Sequence, residues 1–304
     1  MKKMLLASTS TIYGQKYLEY LLEDIKILFS GCEKIIFIPY ARPSGISHLE
    51  YTNKAKKVFE SLNLNILDYT KDNIKEQLEI CDGIFTGGGN TFLLLNKLYE
   101  FNLIEDLRYK INSGIPYLGT SAGTNICGLS IGTTNDMPII HVKSFEALGI
   151  IDLNINPHYI DQIEGIEHMG ESRETRINEF HNLNDQLVVG LREGSSLSVM
   201  GNDIILTGTK KAVIFKKGNF INKNNTQILV LYGGEQINVI NDKITNFQAG
   251  RWYAMNTNLS HYGFCFADGT VHYACDIQLS DERTRKWLIK QVEYCDKSLG
   301  YARK

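Results

Sequence analysis

The sequence has no long apolar run, and this absence argues against two classes of protein. No stretch approaches the ~18 consecutive apolar residues of a membrane helix. The apolar part of the N-terminal MKKMLLASTSTIYG is also shorter than the core that a signal peptide requires. We therefore expect a cytoplasmic protein with no membrane partner.

A strong excess of one charge is absent as well. The formal net charge is -2 at pH 7, whereas a surface dedicated to nucleic acid or anionic lipid carries a marked positive excess. The hydrophobic share of 43% and the charged share of 22% are those of an ordinary globular protein. We expect no nucleic-acid partner.

The cysteines lack the spacing of a metal or redox site. None of the 6 forms a CxxC pair, and a chain of 304 residues can bury a sizeable core without disulfides. We expect the cysteines to be reduced and to act as small buried apolar residues. No metal-ligand cluster is apparent in the sequence. The cysteines are Cys32, Cys81, Cys127, Cys265, Cys275 and Cys295.

What the chain does contain, over its first two hundred residues, is an alternation of apolar runs with segments of helical period. This alternation predicts an α/β fold, in which a mostly parallel sheet carries helices on both faces. The predicted strands are MLLAS, KIIFIP, LNILDY, DGIFT and GIPYLG, and the predicted helices include YGQKYLEYLLEDIKILF, LEYTNKAKKVFESL and NIKEQLEI.

The pattern changes near residue 220, where KKGNFINKNNTQ is polar and turn-rich like a linker. Beyond it, HYGFCFADGTVHYACDIQL predicts a hairpin that turns at Asp268 and Gly269, and DERTRKWLIKQVEYCDKSL predicts a closing helix. We therefore predict a first domain over 1–222 and a small β-rich appendage, ending in a helix, over 223–304.

The stretch YLGTSAGTN places Ser121 between Gly119 and Gly123, where a predicted strand meets a helix. A nucleophilic serine on such a turn needs small neighbours, because the backbone folds back sharply and the side chain must project freely. Alternatively, the glycines serve close packing and the serine hydroxyl caps the helix. The motif alone leaves both interpretations open.

Gly87, Gly88, Gly89 and Asn90 form a second loop between a strand and a helix. The loop lacks the Lys and Ser/Thr of a phosphate-binding P-loop. A glycine N–H here could stabilise an oxyanion, since backbone approaches a substrate closely only where no Cβ intrudes. The alternative is a tight turn in which Asn90 or Thr91 caps the following helix. Sites in parallel sheets lie at the carboxyl ends of strands, so both loops are expected at one edge.

A serine needs a base, and His158 in INPHY is the candidate among 7 histidines. Asp136 in TTNDMPI or Glu193 in GLREGSS could orient its imidazole. In GESRETRINEFHNL, Arg173 or Arg176 could hold a substrate carboxylate. The corresponding alternatives are that His158 is structural and that the two arginines belong to an exposed helix face of alternating charge.

Together these stretches resemble the peptidase E family of bacterial serine dipeptidases, which are specific for N-terminal aspartate. The resemblance covers about residues 1–218, and residues beyond about 222 match nothing in that family. Seven stretches in the same order make it far more specific than either glycine motif alone. They are FIPYA, GGGNTF, GTSAG, TTNDMPI, INPHY, GESRETRI and GLREG.

The resemblance implies a fold related to class I glutamine amidotransferases, and hydrolysis of small Asp-Xaa peptides through an acyl-enzyme without a metal or organic cofactor. By position, it implies that Ser121 is the nucleophile, His158 its base, and Asp136 the acid. Glu193 is the alternative acid.

The same resemblance implies Gly89 and Ala122 as oxyanion donors and Arg173 and Asn90 as substrate-binding residues. Two other functions stay open at this point. One is a related serine hydrolase acting on β-aspartyl or cyanophycin-type peptides, and the other is a non-catalytic binding protein that keeps the fold. Formation of a homo-oligomer is also left open by the sequence.

Overall fold

The computed structural model describes residues 1–69, 73–162 and 170–217, together with two short strands, β10 at Asn219–Phe220 and β11 at Val230–Leu231. The chain divides into two units, Met1–Asn219 and Phe220–Lys304, and the fold given below is that of the first. The predicted hairpin and closing helix of the appendage lie outside the described residues, so the domain boundary near 222 stays a prediction.

Strands and helices alternate through the first unit, as the sequence pattern predicts. The strands are β1 (Lys3–Ala7), β2 (Ile35–Ile38), β3 (Gly83–Thr86), β4 (Tyr117–Thr120), β5 (Asn154–Pro157), β6 (Val188–Leu191), β7 (Ser195–Met200), β8 (Asp203–Gly208) and β9 (Ala212–Lys216). The helices are α1 (Leu22–Leu28), α2 (His48–Glu60), α3 (Ile74–Ile80), α4 (Thr91–Glu100), α5 (Ile104–Ser113), α6 (Ala122–Asn125) and α7 (Arg173–Leu183), and a 3-10 turn (Glu19–Leu21) precedes α1.

These strands form two sheets within the first unit. The larger has the order β8-β7-β1-β4-β3-β2, in which β1, β4, β3 and β2 run parallel and β7 and β8 add an antiparallel edge. In the smaller, β5 is parallel to β6 and β9 is antiparallel to β6. The predicted parallel core is confirmed. The smaller sheet was not foreseen.

The core lies on both faces of the larger sheet. Every residue of β2, β3 and β4 is buried, as expected when helices cover a parallel sheet on both sides. One face packs on α1 and α2 through a cluster that includes Leu5, Phe37, Phe85 and Leu118 from the strands and Ile25, Phe29, Tyr51 and Phe59 from the helices. None of the helices in the described ranges has the length and apolar character needed to traverse a bilayer.

Two local predictions differ from the structure. The helix predicted from YGQKYLEYLLEDIKILF begins only at Leu22, because the preceding residues fold back on the loop after β1. Leu18 has a positive φ of 60° and its N–H donates to the Ser10 carbonyl, at 2.7 Å. LNILDY contributes one bridging pair, Ile35 with Ile66, rather than a strand. In both places tertiary contacts override a local pattern.

Candidate active site

Ser121 lies on a strained turn between β4 and α6. Its φ of 52° and ψ of -110° fall in a region that residues with a Cβ rarely occupy. The flanking glycines are required by close packing: a Cβ at Gly119 would clash with the Gly123 carbonyl, and a Cβ at Gly123 would clash with the Thr86 carbonyl of β3. The turn therefore holds the Ser121 side chain out from the end of the sheet.

The Ser121 hydroxyl contacts an imidazole and does not cap the helix. Its Oγ atom lies 2.8 Å from Nε2 of His158, and α6 has no side-chain cap from Ser121. The capping alternative is therefore wrong. His158 also has a positive φ, of 54°, directly after the end of β5. Strained backbone at two contacting residues is typical of functional sites.

Glu193 is the carboxylate that reaches His158. Its Oε1 atom lies 2.6 Å from Nδ1 of the imidazole. The contact follows from the smaller sheet, in which Pro157 of β5 is paired with Leu191 of the parallel β6, so the residues that follow both strands emerge side by side. His158 and Glu193 have 35% and 51% of their side chains exposed, so their pairing contributes little to the stability of the fold.

The backbone of His158 is fixed by a residue that no sequence motif contains. Ser8, fully buried after β1, accepts the His158 N–H at 2.9 Å and donates its hydroxyl proton to the Leu191 carbonyl at 2.7 Å. Ser8 thus ties the end of the larger sheet to the end of β6. Its only sequence signal is its place at the end of an apolar strand.

The Asp136 side chain lies against the start of α4. Among the described residues it forms no hydrogen bond with Ser121 or His158. Its Oδ2 atom accepts the Thr91 N–H at 2.7 Å and the Thr134 hydroxyl at 3.3 Å. A carboxylate at a helix N-terminus is favoured by the helix dipole. The geometry therefore links Asp136 to the loop that precedes α4.

Asn90 is engaged within the protein at both ends of its amide. Its Oδ1 atom accepts the Leu93 N–H at 3.0 Å as the N-cap of α4, and its Nδ2 donates to the Met137 carbonyl at 2.8 Å. Asn90 thus has the capping role that its sequence position also allowed. Its expected part in substrate binding stays a prediction.

Most N–H groups of the glycine loop are already paired. Gly87 donates to Ile38, Gly88 to the Tyr51 hydroxyl and Asn90 to Ala41, at 3.1, 3.0 and 2.7 Å. The Gly89 N–H has no hydrogen-bond acceptor among the described residues. Gly89 has a φ of +146°, and a Cβ there would collide with the Ala41 carbonyl, so this position requires glycine.

Tyr51 holds the same loop from α2. Its hydroxyl accepts the Gly88 N–H at 3.0 Å and donates to the Gly88 carbonyl at 3.3 Å. A Cβ built on Gly88 would lie 2.9 Å from the Ser121 Cβ, so the loop and the serine are in close contact. Tyr51 is 1% exposed and sits at an apolar position of its helix. No sequence signal distinguishes it from an ordinary core residue.

Arg173 is the first residue of α7 and is half-buried. Burial lowers the pKa of its guanidinium, the neighbouring Arg176 cation lowers it further, and the Asp136 carboxylate raises it. Arg173 makes no hydrogen bond or ion pair with the part of the chain that the structure describes. In contrast, Arg176 is exposed and lies 3.8 Å from Glu171.

Metal ligands do not cluster in the described ranges: no three His, Cys, Asp or Glu side chains stand in positions that could hold an ion. The groups that the structure brings together at this edge of the sheet are a hydroxyl, an imidazole, a carboxylate and backbone N–H groups. These are the parts of an acyl-transfer site.

Fold and site together define the class of the protein as an α/β hydrolytic enzyme with a serine at a strand-to-helix turn. A solved structure of a peptidase from an acI-B1 actinobacterium shares the fold, with a TM-score of 0.56 and 19% identity over 77% of this chain and 96% of that one. The chain belongs to peptidase family S51, whose family model matches residues 4–207.

Curated relatives agree with this assignment. The chain is 40% identical to a Drosophila melanogaster protein named "probable alpha-aspartyl dipeptidase", over 71% of this chain and 90% of that protein. It is 43% identical to peptidase E of Shewanella amazonensis, over 70% of this chain and 91% of that protein. The family expected from the sequence motifs is therefore confirmed, and the protein is a peptidase.

Proposed function

We propose that the protein is a serine dipeptidase that hydrolyses Asp-Xaa dipeptides through an acyl-enzyme on Ser121, and that residues 1–222 carry this activity. The observation that carries the proposal is the continuous contact from Ser121 through His158 to Glu193, at 2.8 and 2.6 Å. Membership of the peptidase family and the names of the relatives give the substrate class.

In the proposed mechanism, Ser121 attacks the carbonyl of the N-terminal aspartyl residue while Nε2 of His158 accepts the hydroxyl proton. The Glu193 carboxylate accepts a hydrogen bond from Nδ1, fixes the tautomer, and stabilises the imidazolium that forms. His158 then protonates the departing amine, and water releases aspartate from the ester. The balance is one peptide bond and one water consumed for aspartate and one free amino acid.

The oxyanion of the tetrahedral intermediate is stabilised by two backbone donors. The Gly89 N–H is available because, unlike those of its loop neighbours, it has no acceptor among the described residues. The second donor is Ala122, which opens α6 and whose N–H has no partner within that helix. A single donor of this kind typically lowers a barrier by about 3 to 4 kcal/mol.

Of the two acids considered for the third position, Glu193 is favoured by its contact with His158. Asp136 is assigned a different role here, since its carboxylate holds the N-terminus of α4 and thereby the glycine loop. Its charge also faces Arg173 closely enough to raise the pKa of that guanidinium.

Arg173 is our candidate for binding the aspartyl side chain of the substrate. A half-buried guanidinium without an ionic partner in the described ranges is in an unfavourable environment, as the lowered pKa reflects. A substrate carboxylate would relieve that cost, whereas a neutral side chain would leave the cation unpaired. This asymmetry is a source of large selectivity.

The test measures hydrolysis of Asp-Leu by the full chain and by Ser121→Ala, with exposed Ser113→Ala as the matched control. We expect Ser121→Ala to fold normally and to lose kcat by about 10,000-fold or more, while Ser113→Ala keeps its activity. A serine-directed fluorophosphonate probe should label Ser121 in the wild type. Retained activity in Ser121→Ala would remove this residue from the mechanism.

A panel of α-aspartyl and β-aspartyl dipeptides separates the related functions. Cleavage of the β-aspartyl peptides alone would favour the cyanophycin-type alternative and overturn the proposed substrate class. A wild-type chain that cleaves neither peptide and does not react with the probe would favour a binding protein.

A further inference from the structure

Arg42 is a second cation close to the glycine loop. It follows Ala41, whose carbonyl lies directly against Gly89 and accepts the Asn90 N–H. The side chain is half-buried, and its Nε atom is buried with no hydrogen-bond partner. Arg42 also forms no ion pair with any residue that the structure describes. A guanidinium in such a place is stabilised when an anion joins it.

The position of the Arg42 guanidinium is set by Tyr51. Its central carbon lies 4.9 Å from the centroid of the Tyr51 ring, and the hydroxyl of that ring holds Gly88. Arg42 is thus linked to the glycine loop in two ways. Its chain neighbour Ala41 contacts Gly89, and the Tyr51 ring that it contacts binds Gly88. The Arg42 guanidinium donates no hydrogen bond to any residue that the structure describes, so its N–H donors can bind a planar anion.

The two cations are linked to the loop through different residues. Ala41 and Tyr51 contact its glycines, whereas the carboxylate of Asp136, which faces Arg173, contacts Thr91 at the start of α4. If Arg173 binds the aspartyl side chain of the acyl part of the substrate, the second cation beside the loop is available for the leaving part.

The chemistry of a dipeptide supplies an anion for that place. In a dipeptide, the leaving residue ends in a free α-carboxylate, and only one residue, about 3.8 Å of backbone, separates it from the acyl residue. The scissile carbonyl lies against Gly89 in the proposed mechanism, so this carboxylate falls close to the loop. An amide or a longer peptide carries no charge at that point.

We infer that Arg42 determines specificity by binding the free α-carboxylate of the leaving residue, which makes the enzyme a dipeptidase rather than a general aspartyl aminopeptidase. The inference rests on the proposed function and extends it to the leaving side of the substrate. Arg42 takes no part in the bond-making steps.

The experiment compares Asp-Leu with Asp-Leu amide, which has the same scissile bond and lacks the carboxylate. We expect the wild type to prefer Asp-Leu by about 10- to 100-fold in kcat/KM, the usual range for one charge-assisted pair. Arg42→Gln should lower kcat/KM for Asp-Leu by a similar factor, mainly through KM, and leave the amide within about twofold. Arg42→Lys, which keeps the charge, should retain part of the preference.

The outcomes separate the inference from the proposed function. Equal cleavage of both substrates by the wild type overturns the role of Arg42 without any variant, so poor folding of Arg42→Gln leaves the test intact. An equal loss on both substrates in a folded Arg42→Gln also overturns it, because a structural role affects both alike. A wild type that cleaves neither substrate overturns the proposed function itself.

Discussion

Glu193 and His158 are brought together by the pairing of two neighbouring parallel strands. Each residue follows its strand by one or two positions, and Oε1 of the glutamate lies 2.6 Å from Nδ1 of the imidazole. Asp136, in contrast, is bonded to the N-terminus of α4. The two carboxylates therefore have separable roles, which substitution by the matching amides can test.

We expect Glu193→Gln to lower kcat for Asp-Leu by about 100- to 10,000-fold, because the amide no longer stabilises the imidazolium. Asp136→Asn should lower kcat by less than about tenfold. It should instead reduce the free energy of unfolding by about 1 kcal/mol, since it weakens a charge at a helix N-terminus. Steady-state kinetics and urea unfolding of both variants provide the measurement. A folded Asp136→Asn with the larger loss of kcat would reverse the assignment.

The Tyr51 hydroxyl is expected to position the glycine loop. Tyr51→Phe leaves the buried N–H and carbonyl of Gly88 without their partner, so we expect a loss of about 1 to 3 kcal/mol in unfolding free energy. Since Gly89 adjoins Gly88, kcat should fall about tenfold with little change in KM. Tyr40→Phe is the matched control, because the Tyr40 hydroxyl is buried with no hydrogen-bond partner among the described residues. If both variants behave alike, the contact with Gly88 has no catalytic consequence.

Arg173 is expected to recognise the aspartyl side chain. Arg173→Ala should lower kcat/KM for Asp-Leu by about 10- to 100-fold, the loss of one charge-assisted interaction, and should leave the slow hydrolysis of Asn-Leu nearly unchanged. The control is Arg176→Ala, on the same helix but exposed and facing Glu171, which should keep the preference for aspartate. Equal losses on Asp-Leu and Asn-Leu would indicate that Arg173 serves the fold.

The buried thiols predict how stability depends on pH. Burial raises the pKa of Cys127 to about 12 and that of Cys81 to about 11, whereas both thiols ionise near their ordinary value of about 8.5 in the unfolded chain. The unfolded state therefore loses protons first as the pH rises. The free energy of unfolding should fall progressively from about pH 9 upward and be unaffected by these groups below about pH 8.

Urea unfolding at a series of pH values measures this effect, with Cys127→Ala as the comparison. The variant should be less stable throughout because of the cavity it leaves, and its curve should be flatter above about pH 9. Parallel curves for the two proteins over the whole alkaline range would contradict the raised pKa of Cys127.

Local sequence patterns predicted most of the candidate catalytic residues and most strands of the parallel part of the larger sheet. Ser121 and Gly89 could be proposed because small residues are needed where backbone turns sharply or approaches a substrate. Such residues are visible in the sequence as glycine motifs. Parallel strands could be predicted from apolar runs alone, since both faces of the sheet are buried. The predicted helix start near Tyr13 was wrong, because contacts with the loop after β1 redirect the chain before Leu22.

Residues whose importance depends on a distant partner carried no such signal. Ser8 and Tyr51 read as ordinary strand and helix positions, yet one hydroxyl fixes the backbone of His158 and the other fixes that of Gly88. Nothing local separates a hydroxyl that holds an active-site backbone from one that merely fills the core. Arg42 likewise looks like a loop residue until its place above the Tyr51 ring is seen.

The sequence by itself determined the peptidase family and the alternation of strands and helices, and it supplied the candidate serine and histidine, because these depend on residue types at short range. Only the tertiary structure decided between Glu193 and Asp136 as the neighbour of His158. Both carboxylates lie far from His158 along the chain, and which one meets the imidazole is set by strand pairing in the smaller sheet. Strand pairing of this kind is a long-range property that no local pattern encodes.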